Sequence, residues 1–311
     1  MKTHFTLRNL ASLLFALAAL SSTVTPASAA LLMVSQYAAP GTVGSYNAST
    51  GAAISPSLIS GVTFPYGLAA DGSNVFVASG DAGTIGVYNA TTGAAINASL
   101  ITGLTSPRAL ALNGNNLYVA DYTTGTVSVY NASTGAVLSA SLITGLSGPF
   151  GLTFSSNNLY VSNETAGTVG LYDATTGTAI NAALVTGIVL PYGLAVSGNN
   201  LFVADGNFGK VGLYHAVTGA TIDADFITGL GAAAGLALHG NDLFVASSDT
   251  GIVGWYNATT GAAIDADMIT GLDSPWGLTI SGAPEPSRAV LLLAGGGWLL
   301  LLRRRRASAR A

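Results

Sequence analysis

The chain has 311 residues, no cysteine, and only 8% charged residues. The lack of cysteine excludes disulfides, thiol chemistry and thiolate metal sites. Between residues 31 and 282, thirteen acidic side chains stand against two basic ones, Arg108 and Lys210, a balance of −11. Because so acidic a surface repels polyanions, nucleic acid and anionic lipid are not expected as partners.

Residues 1–29 have the three parts of a secretory signal peptide. Two bases precede a short apolar core at 10–20, and Ala27 and Ala29 supply a small-residue cleavage pattern. We therefore expect an N-terminal signal helix that is removed near Ala30, and an exported protein.

Residues 30–282 consist of a repeat with a constant period. Tyrosines recur every 42 residues at Tyr88, Tyr130, Tyr172, Tyr214 and Tyr256. Leucines recur in the same way at Leu110, Leu152, Leu194, Leu236 and Leu278. Six units can be counted, near 33–74, 75–116, 117–158, 159–200, 201–242 and 243–282. A strict period in this range indicates a repeat architecture.

One unit predicts four short strands, at 117–120, 126–130, 137–143 and 150–154, separated by turns rich in Gly, Asn, Ser and Thr. Four strands of about five residues and four connections of similar length account for about forty residues, so no helix fits. Stacking such sheets radially covers both apolar faces of each one. The predicted fold is an all-β, six-bladed β-propeller of four-stranded antiparallel blades; a β-solenoid with two rungs per unit is the alternative.

The two ends of the repeat region complement each other. In the other units, a strand with the Pro-x-Gly-Leu motif comes before the strand that corresponds to residues 31–35. No such strand precedes residues 31–35 themselves, and the last strand of the repeat region, at 276–280, has no strand after it. We expect the strand at 276–280 to become the innermost strand of the blade that 32–35 begins. This C-terminal strand would close the ring and leave no half-blade exposed.

The repeat units resemble those of NHL-type six-bladed propellers. The resemblance rests on a Pro-x-Gly-Leu motif, a following Asn-Asn-Leu-Tyr-Val motif and a Gly-Thr-Val-x-x-Tyr motif, as at 149–152, 157–161 and 167–172. It implies a scaffold that serves binding proteins and enzymes alike, so it does not by itself assign a function.

Residues 283–311 break the repeat pattern. Pro284, Glu285 and Pro286 are followed by a short apolar stretch at 289–302 and then by four arginines. The stretch is predicted to be a short hydrophobic transmembrane helix, although a span usually needs about 20 residues. The tail resembles the PEP-CTERM sorting signal, which implies transient membrane insertion, an exosortase-type processing enzyme as partner, and release to the cell surface or an extracellular matrix. A plain membrane anchor is the alternative.

Comparison of the repeats indicates which face of the propeller carries function. The first and third hairpins are nearly constant from unit to unit. The second hairpins, and the loops that lead into the innermost strands, vary. The variable face holds the predicted ligand-binding residues Tyr66, Arg108, Phe150, Tyr192, Trp276, Tyr122 and Phe208. Aromatic rings beside Asp and Asn suit a site that stacks on sugar rings and bonds to hydroxyls. Unspecific drift of the loops, or a plug of the central channel, would also explain the variation.

Catalytic residues are not evident. Asp121, Asn163 and Asp205 occupy equivalent positions in adjacent units, where they could hold a divalent metal in a lactonase-like or other hydrolase, or could cap turns. We prefer the turn-capping role and predict no cofactor, with calcium as the candidate ion otherwise. The expected function is a non-catalytic surface or matrix propeller that binds polysaccharide or a surface protein; a purely structural surface-layer module is a further alternative.

Overall fold

The computed structural model describes residues 30–282, in which every regular element is a β-strand. The expected signal helix at 1–29 and the expected hydrophobic helix at 283–311 lie outside the described residues. Within 30–282, no helix of the length and apolarity required to span a membrane is present.

The twenty-four strands form six four-stranded antiparallel sheets, the blades, each running from an innermost strand at the axis to an outermost strand. In that order, blade 1 contains β24 (Pro275–Ser281), β1 (Leu31–Gln36), β2 (Gly41–Asn47) and β3 (Ala53–Val62). Blade 2 contains β4 (Pro65–Ala70), β5 (Asn74–Ser79), β6 (Thr84–Asn89) and β7 (Ala95–Ile101). Blade 3 contains β8 (Pro107–Asn113), β9 (Asn116–Asp121), β10 (Thr126–Asn131) and β11 (Val137–Ile143).

The remaining three blades repeat this plan. Blade 4 contains β12 (Pro149–Ser155), β13 (Asn158–Asn163), β14 (Thr168–Asp173) and β15 (Ala179–Thr186). Blade 5 contains β16 (Pro191–Ser197), β17 (Asn200–Asp205), β18 (Lys210–His215) and β19 (Thr221–Ile227). Blade 6 contains β20 (Ala233–His239), β21 (Asp242–Ser247), β22 (Ile252–Asn257) and β23 (Ala263–Ile269). Each sequence unit therefore spans three strands of one blade and the innermost strand of the next.

The blades close into a ring. The innermost strand β24 packs between β20 of blade 6 and β4 of blade 2. It also pairs antiparallel with β1, with Leu32 opposite Ile280 and Val34 opposite Leu278. The six-bladed propeller and its closure by the C-terminal strand are confirmed, and the linear solenoid is excluded.

The turns follow from local polar chemistry. In the β10–β11 hairpin, Asn131 Oδ1 accepts hydrogen bonds from the backbone N–H groups of Ser133 and Thr134, at 3.0 Å each. Gly135 then adopts a left-handed φ of 71°, which a residue without Cβ reaches at little cost. The same Asn-x-x-x-Gly arrangement explains why this turn recurs almost unchanged around the ring.

Neighbouring innermost strands touch at the axis, where five of the six carry a glycine. A Cβ on Gly277 would overlap the backbone carbonyl oxygen of Tyr66 in the next blade, and a Cβ on Gly151 would overlap that of Tyr192. Only blade 3 has a side chain at this position, Ala109. The glycines therefore set the narrow radius of the central channel.

Two buried serines join adjacent innermost strands. Ser162 Oγ accepts a hydrogen bond from Gly151 N in its own blade and donates one to Tyr192 O in the next, both at 2.7 Å. Ser35 makes the same two bonds to Gly277 N and Tyr66 O, also at 2.7 Å. The equivalent residues of the other four blades are Ala78, Ala120, Ala204 and Ala246. Blades 1 and 4, which face each other across the ring, thus carry the only such bridges within residues 30–282.

Candidate functional site

The variable positions of the lead-in loops meet over the channel. Each is the second residue of an innermost strand, so the six strands bring their side chains to one mouth; they are Tyr66, Arg108, Phe150, Tyr192, Ala234 and Trp276. Phe150 of blade 4 and Trp276 of blade 1 lie on opposite sides of the ring, yet their ring centroids are only 5.4 Å apart. The aromatic side chains therefore cross the axis and cover the channel, rather than only encircling it.

The rings of this aromatic mouth, defined as Tyr66, Phe150, Tyr192 and Trp276, pack on one another. The Phe150 and Tyr192 centroids are 4.6 Å apart, Tyr192 and Trp276 5.2 Å, and Tyr66 and Trp276 5.5 Å. Tyr66 is buried, whereas the other three rings are half-buried and present their outer surfaces to solvent. Burial raises the pKa of the Tyr192 phenol, and the Glu164 carboxylate adds to the rise, so Tyr192 is a neutral hydroxyl donor at neutral pH.

Two aromatic residues outside the predicted set, Tyr37 and Phe64, extend the mouth. The β1–β2 hairpin has one more residue than its counterpart in blade 3, and it carries Tyr37. The Tyr37 ring lies 4.7 Å from both Phe64 and Tyr66. Phe64 has a left-handed φ of 46°, a conformation that a bulky residue adopts only when its surroundings impose it. The sequence does show a large aromatic residue in the first hairpin and another directly before Pro65, and these two features could have identified Tyr37 and Phe64.

Arg108 places a positive charge among the rings. Its Cζ atom lies 3.7 Å from the centroid of the Tyr66 ring, a cation–π contact, and 5.4 Å from that of Tyr122. Arg108 Nε donates a 3.1 Å hydrogen bond to Ser106 Oγ, which fixes the guanidinium plane. Burial lowers the pKa of Arg108 from its ordinary value, while Tyr37, Tyr122 and Glu164 act in the opposite direction, and the group stays charged at neutral pH.

The other two predicted ligand-binding residues differ in their placement. Tyr122 lies at the rim, with its ring 6.3 Å from Phe150 and its hydroxyl 3.4 Å from Thr165 Oγ1. Interaction with Glu164 raises the pKa of Tyr122. Phe208 is 60% exposed in the blade 5 hairpin, and its ring lies 5.6 Å from Lys210 Nζ rather than against the aromatic mouth.

Little space lies beneath the rings. The cavity that Tyr66, Phe150 and Trp276 cover has a volume of about 80 Å³, small for a ligand pocket. A larger space of about 340 Å³ lies along the inner strands on the other side of the five recurring leucines and Leu68, their equivalent in blade 2. A ligand bound at the aromatic mouth would therefore contact the outer surface of the rings, since the space beneath them is too small to hold it.

The three side chains of the alternative metal site are buried, and the two carboxylates among them hold backbone N–H groups of turns and loops. Asp121, Asn163 and Asp205 are each 4% exposed. Asp121 accepts backbone N–H groups of Thr105 at 2.7 Å and Ser106 at 3.2 Å, so it ties its hairpin to the neighbouring lead-in loop.

Asp205 Oδ1 accepts the backbone N–H groups of Asn207 and Phe208, at 3.1 and 3.3 Å. Asn163 Nδ2 donates to Thr168 Oγ1 at 3.3 Å. Within residues 30–282, no three His, Cys, Asp or Glu side chains converge in a way that could hold a metal ion. The contacts of Asp121 and Asp205 match turn capping, whereas Asn163 bonds across its own hairpin and its Oδ1 has no hydrogen-bond partner within residues 30–282. The metal-dependent hydrolase is not favoured.

Comparison with known proteins supports the fold alone. No family model matches the chain, and a search of curated proteins gives no match either. A chain in the crystal structure of the nidogen/laminin complex is similar with a TM-score of 0.67 and 17% identity, covering 82% of this chain and 99% of that one. The computationally designed protein Ika8 is similar with a TM-score of 0.53 and 22% identity, covering 79% of this chain and 74% of that one.

Proposed function

We propose that this chain is an exported, non-catalytic six-bladed propeller that binds polysaccharide at the aromatic mouth. The observation that carries the proposal is the cluster of packed, half-exposed rings on one face of the propeller. A rigid aromatic surface suits the apolar face of a sugar ring, and nearby polar groups suit its hydroxyls. The short turns of the opposite face are nearly identical around the ring, which supports a purely structural role for that face.

Export and a surface or extracellular-matrix location are part of the proposal. They rest on the signal-like segment at 1–29 and on the Pro284-Glu285-Pro286 motif with its apolar stretch and arginines. The resemblance of this tail to the PEP-CTERM signal supports an exosortase-type processing enzyme as the partner that removes it after transient membrane insertion.

Binding of purified residues 30–282 to a glycan panel tests the function, because this segment contains every strand of the closed ring. We expect Trp276→Ala and Tyr192→Ala to weaken binding roughly threefold to tenfold each, the value of one aromatic contact. Ile180→Ala is the control, because Ile180 is 57% exposed on outer strand β15, away from the mouth. Circular dichroism verifies that each variant folds. Unchanged binding in both aromatic variants would remove the mouth as the binding site.

Mass spectrometry of the protein recovered from its native cells tests the export proposal. We expect an N-terminus near Ala30, loss of the tail beyond Pro284, and recovery in the surface or matrix fraction. An intact tail with recovery in the membrane fraction would favour a plain anchor. Retention of residues 1–29 in a cytoplasmic fraction would contradict export.

A further inference from the structure

Arg108 departs from the pattern of its repeat. The equivalent residues of the other five blades are aromatic or alanine: Tyr66, Phe150, Tyr192, Ala234 and Trp276. A sixth aromatic or small residue would complete the apolar cover of the channel. Arg108 instead brings one of the two basic side chains of residues 31–282 to the centre of the mouth.

The hydrogen-bonding capacity of this guanidinium is only partly used. Nε is bound to Ser106, but neither Nη group makes a hydrogen bond within residues 30–282. Within residues 30–282, only two side-chain nitrogen or oxygen atoms are both buried and without a hydrogen-bond partner, Asn163 Oδ1 and Trp255 Nε1. The Arg108 Nη atoms also have no partner but are not among these buried atoms, so they reach solvent. The face of the guanidinium lies on Tyr66, and its two-nitrogen edge is free.

Arg108 also lacks a counter-ion, although the propeller is acidic. The only ion pair within residues 30–282 joins Lys210 Nζ to Asp225 Oδ1 at 2.7 Å, on blade 5. Glu164 is near enough to influence the pKa of Arg108 but does not form a salt bridge with it. A partly desolvated cation gains from an anion that offers two oxygens to its free edge. A planar carboxylate has the required geometry.

We propose that Arg108 binds the carboxylate of a uronic acid residue in the polysaccharide, while the rings of the aromatic mouth stack on the sugar. This inference rests on the proposed function and specifies the ligand class. The balance of −11 over residues 31–282 opposes densely charged polymers. The site therefore fits a glycan that carries isolated carboxylates among neutral sugars.

Nuclear magnetic resonance titration of ¹⁵N-labelled residues 30–282 tests the inference with two matched probes, methyl β-D-glucuronide and methyl β-D-glucoside. They differ only by a carboxylate in place of a hydroxymethyl group. The Trp276 indole N–H signal reports contact with the mouth, and the Arg108 Nε–H signal reports contact with the guanidinium. We expect both probes to shift the Trp276 signal and only the glucuronide to shift the Arg108 signal, with about tenfold tighter binding.

Two variants complete the design. Arg108→Tyr installs the residue found at the equivalent position of blades 2 and 5, and it should bind the two probes equally. Lys210→Gln removes the same charge away from the mouth, and it should keep the preference for glucuronide. Equal binding of both probes to the unaltered protein, with the Arg108 signal unchanged, would overturn the inference and leave the proposed function standing. No shift of Trp276 with either probe, together with no binding on the glycan panel, would overturn both.

Discussion

The hydroxyl of Ser162 offers a direct test of how adjacent blades are held together at the axis. Ser162→Ala removes two 2.7 Å hydrogen bonds, from Gly151 N within blade 4 and to Tyr192 O of blade 5. The substitution adds no strain, because alanine occupies the equivalent position in four other blades. Each buried hydrogen bond contributes about 0.5–1.5 kcal/mol, so we expect a loss of about 1–3 kcal/mol in the free energy of unfolding.

Urea denaturation of residues 30–282 measures this loss, and thermal melting should show a decrease of about 2–4 °C per kcal/mol for a domain of this size. Ser139→Ala is the control, because Ser139 lies on outer strand β11 and its hydroxyl makes no hydrogen bond within residues 30–282. Ser35→Ala should behave like Ser162→Ala, and the two losses should add because the residues lie in opposite blades. A Ser162→Ala protein as stable as the Ser139→Ala control would refute the bridging role.

Two further predictions concern the turns and the axis. Hydrogen bonds from backbone N–H groups, of which that of Thr176 has the largest effect, lower the pKa of Asp173. The ionised Asp173 carboxylate therefore stabilises the folded protein above the ordinary pKa of an aspartate, and this contribution is lost as the pH falls below about 4. We expect Asp173→Asn, the turn residue of most other blades, to lose less stability than the unaltered protein between pH 5 and pH 3 in urea titrations; equal losses would contradict this. Gly277→Ala should destabilise the ring, because its Cβ would overlap the Tyr66 carbonyl oxygen, whereas Gly282→Ala has open space. Equal melting temperatures for these two variants would contradict the close approach of the inner strands.

The sequence predicted most of the fold because the fold is local and repeated. Strand lengths, turn residues and apolar runs recur every 42 residues, and each is set by hydrogen bonds and burial within one blade or between neighbours. No strand precedes the first unit to serve as the innermost strand of its blade, and no further blade follows the last strand; together these two facts predicted the pairing of β24 with β1.

The candidate site was predicted only in part. Periodicity placed Tyr66, Phe150, Tyr192 and Trp276 on one face, because residues at equivalent positions share a face. It could not place Tyr37, because an additional residue in the β1–β2 hairpin shifts that segment out of register. It placed Phe208 on the same variable face, in the second hairpin of its unit, and the structure shows its ring beside Lys210.

The sequence by itself determined the number of blades, their strands and the face on which the repeats differ, since these depend on contacts that recur with the period. Only the tertiary structure decided how far apart the six inner strands stand at the axis. That distance depends on backbone contacts between glycines and neighbouring strands, and it sets whether aromatic side chains surround an opening or meet over it. The rings meet, and the resulting aromatic surface holds Arg108 with its free edge toward solvent.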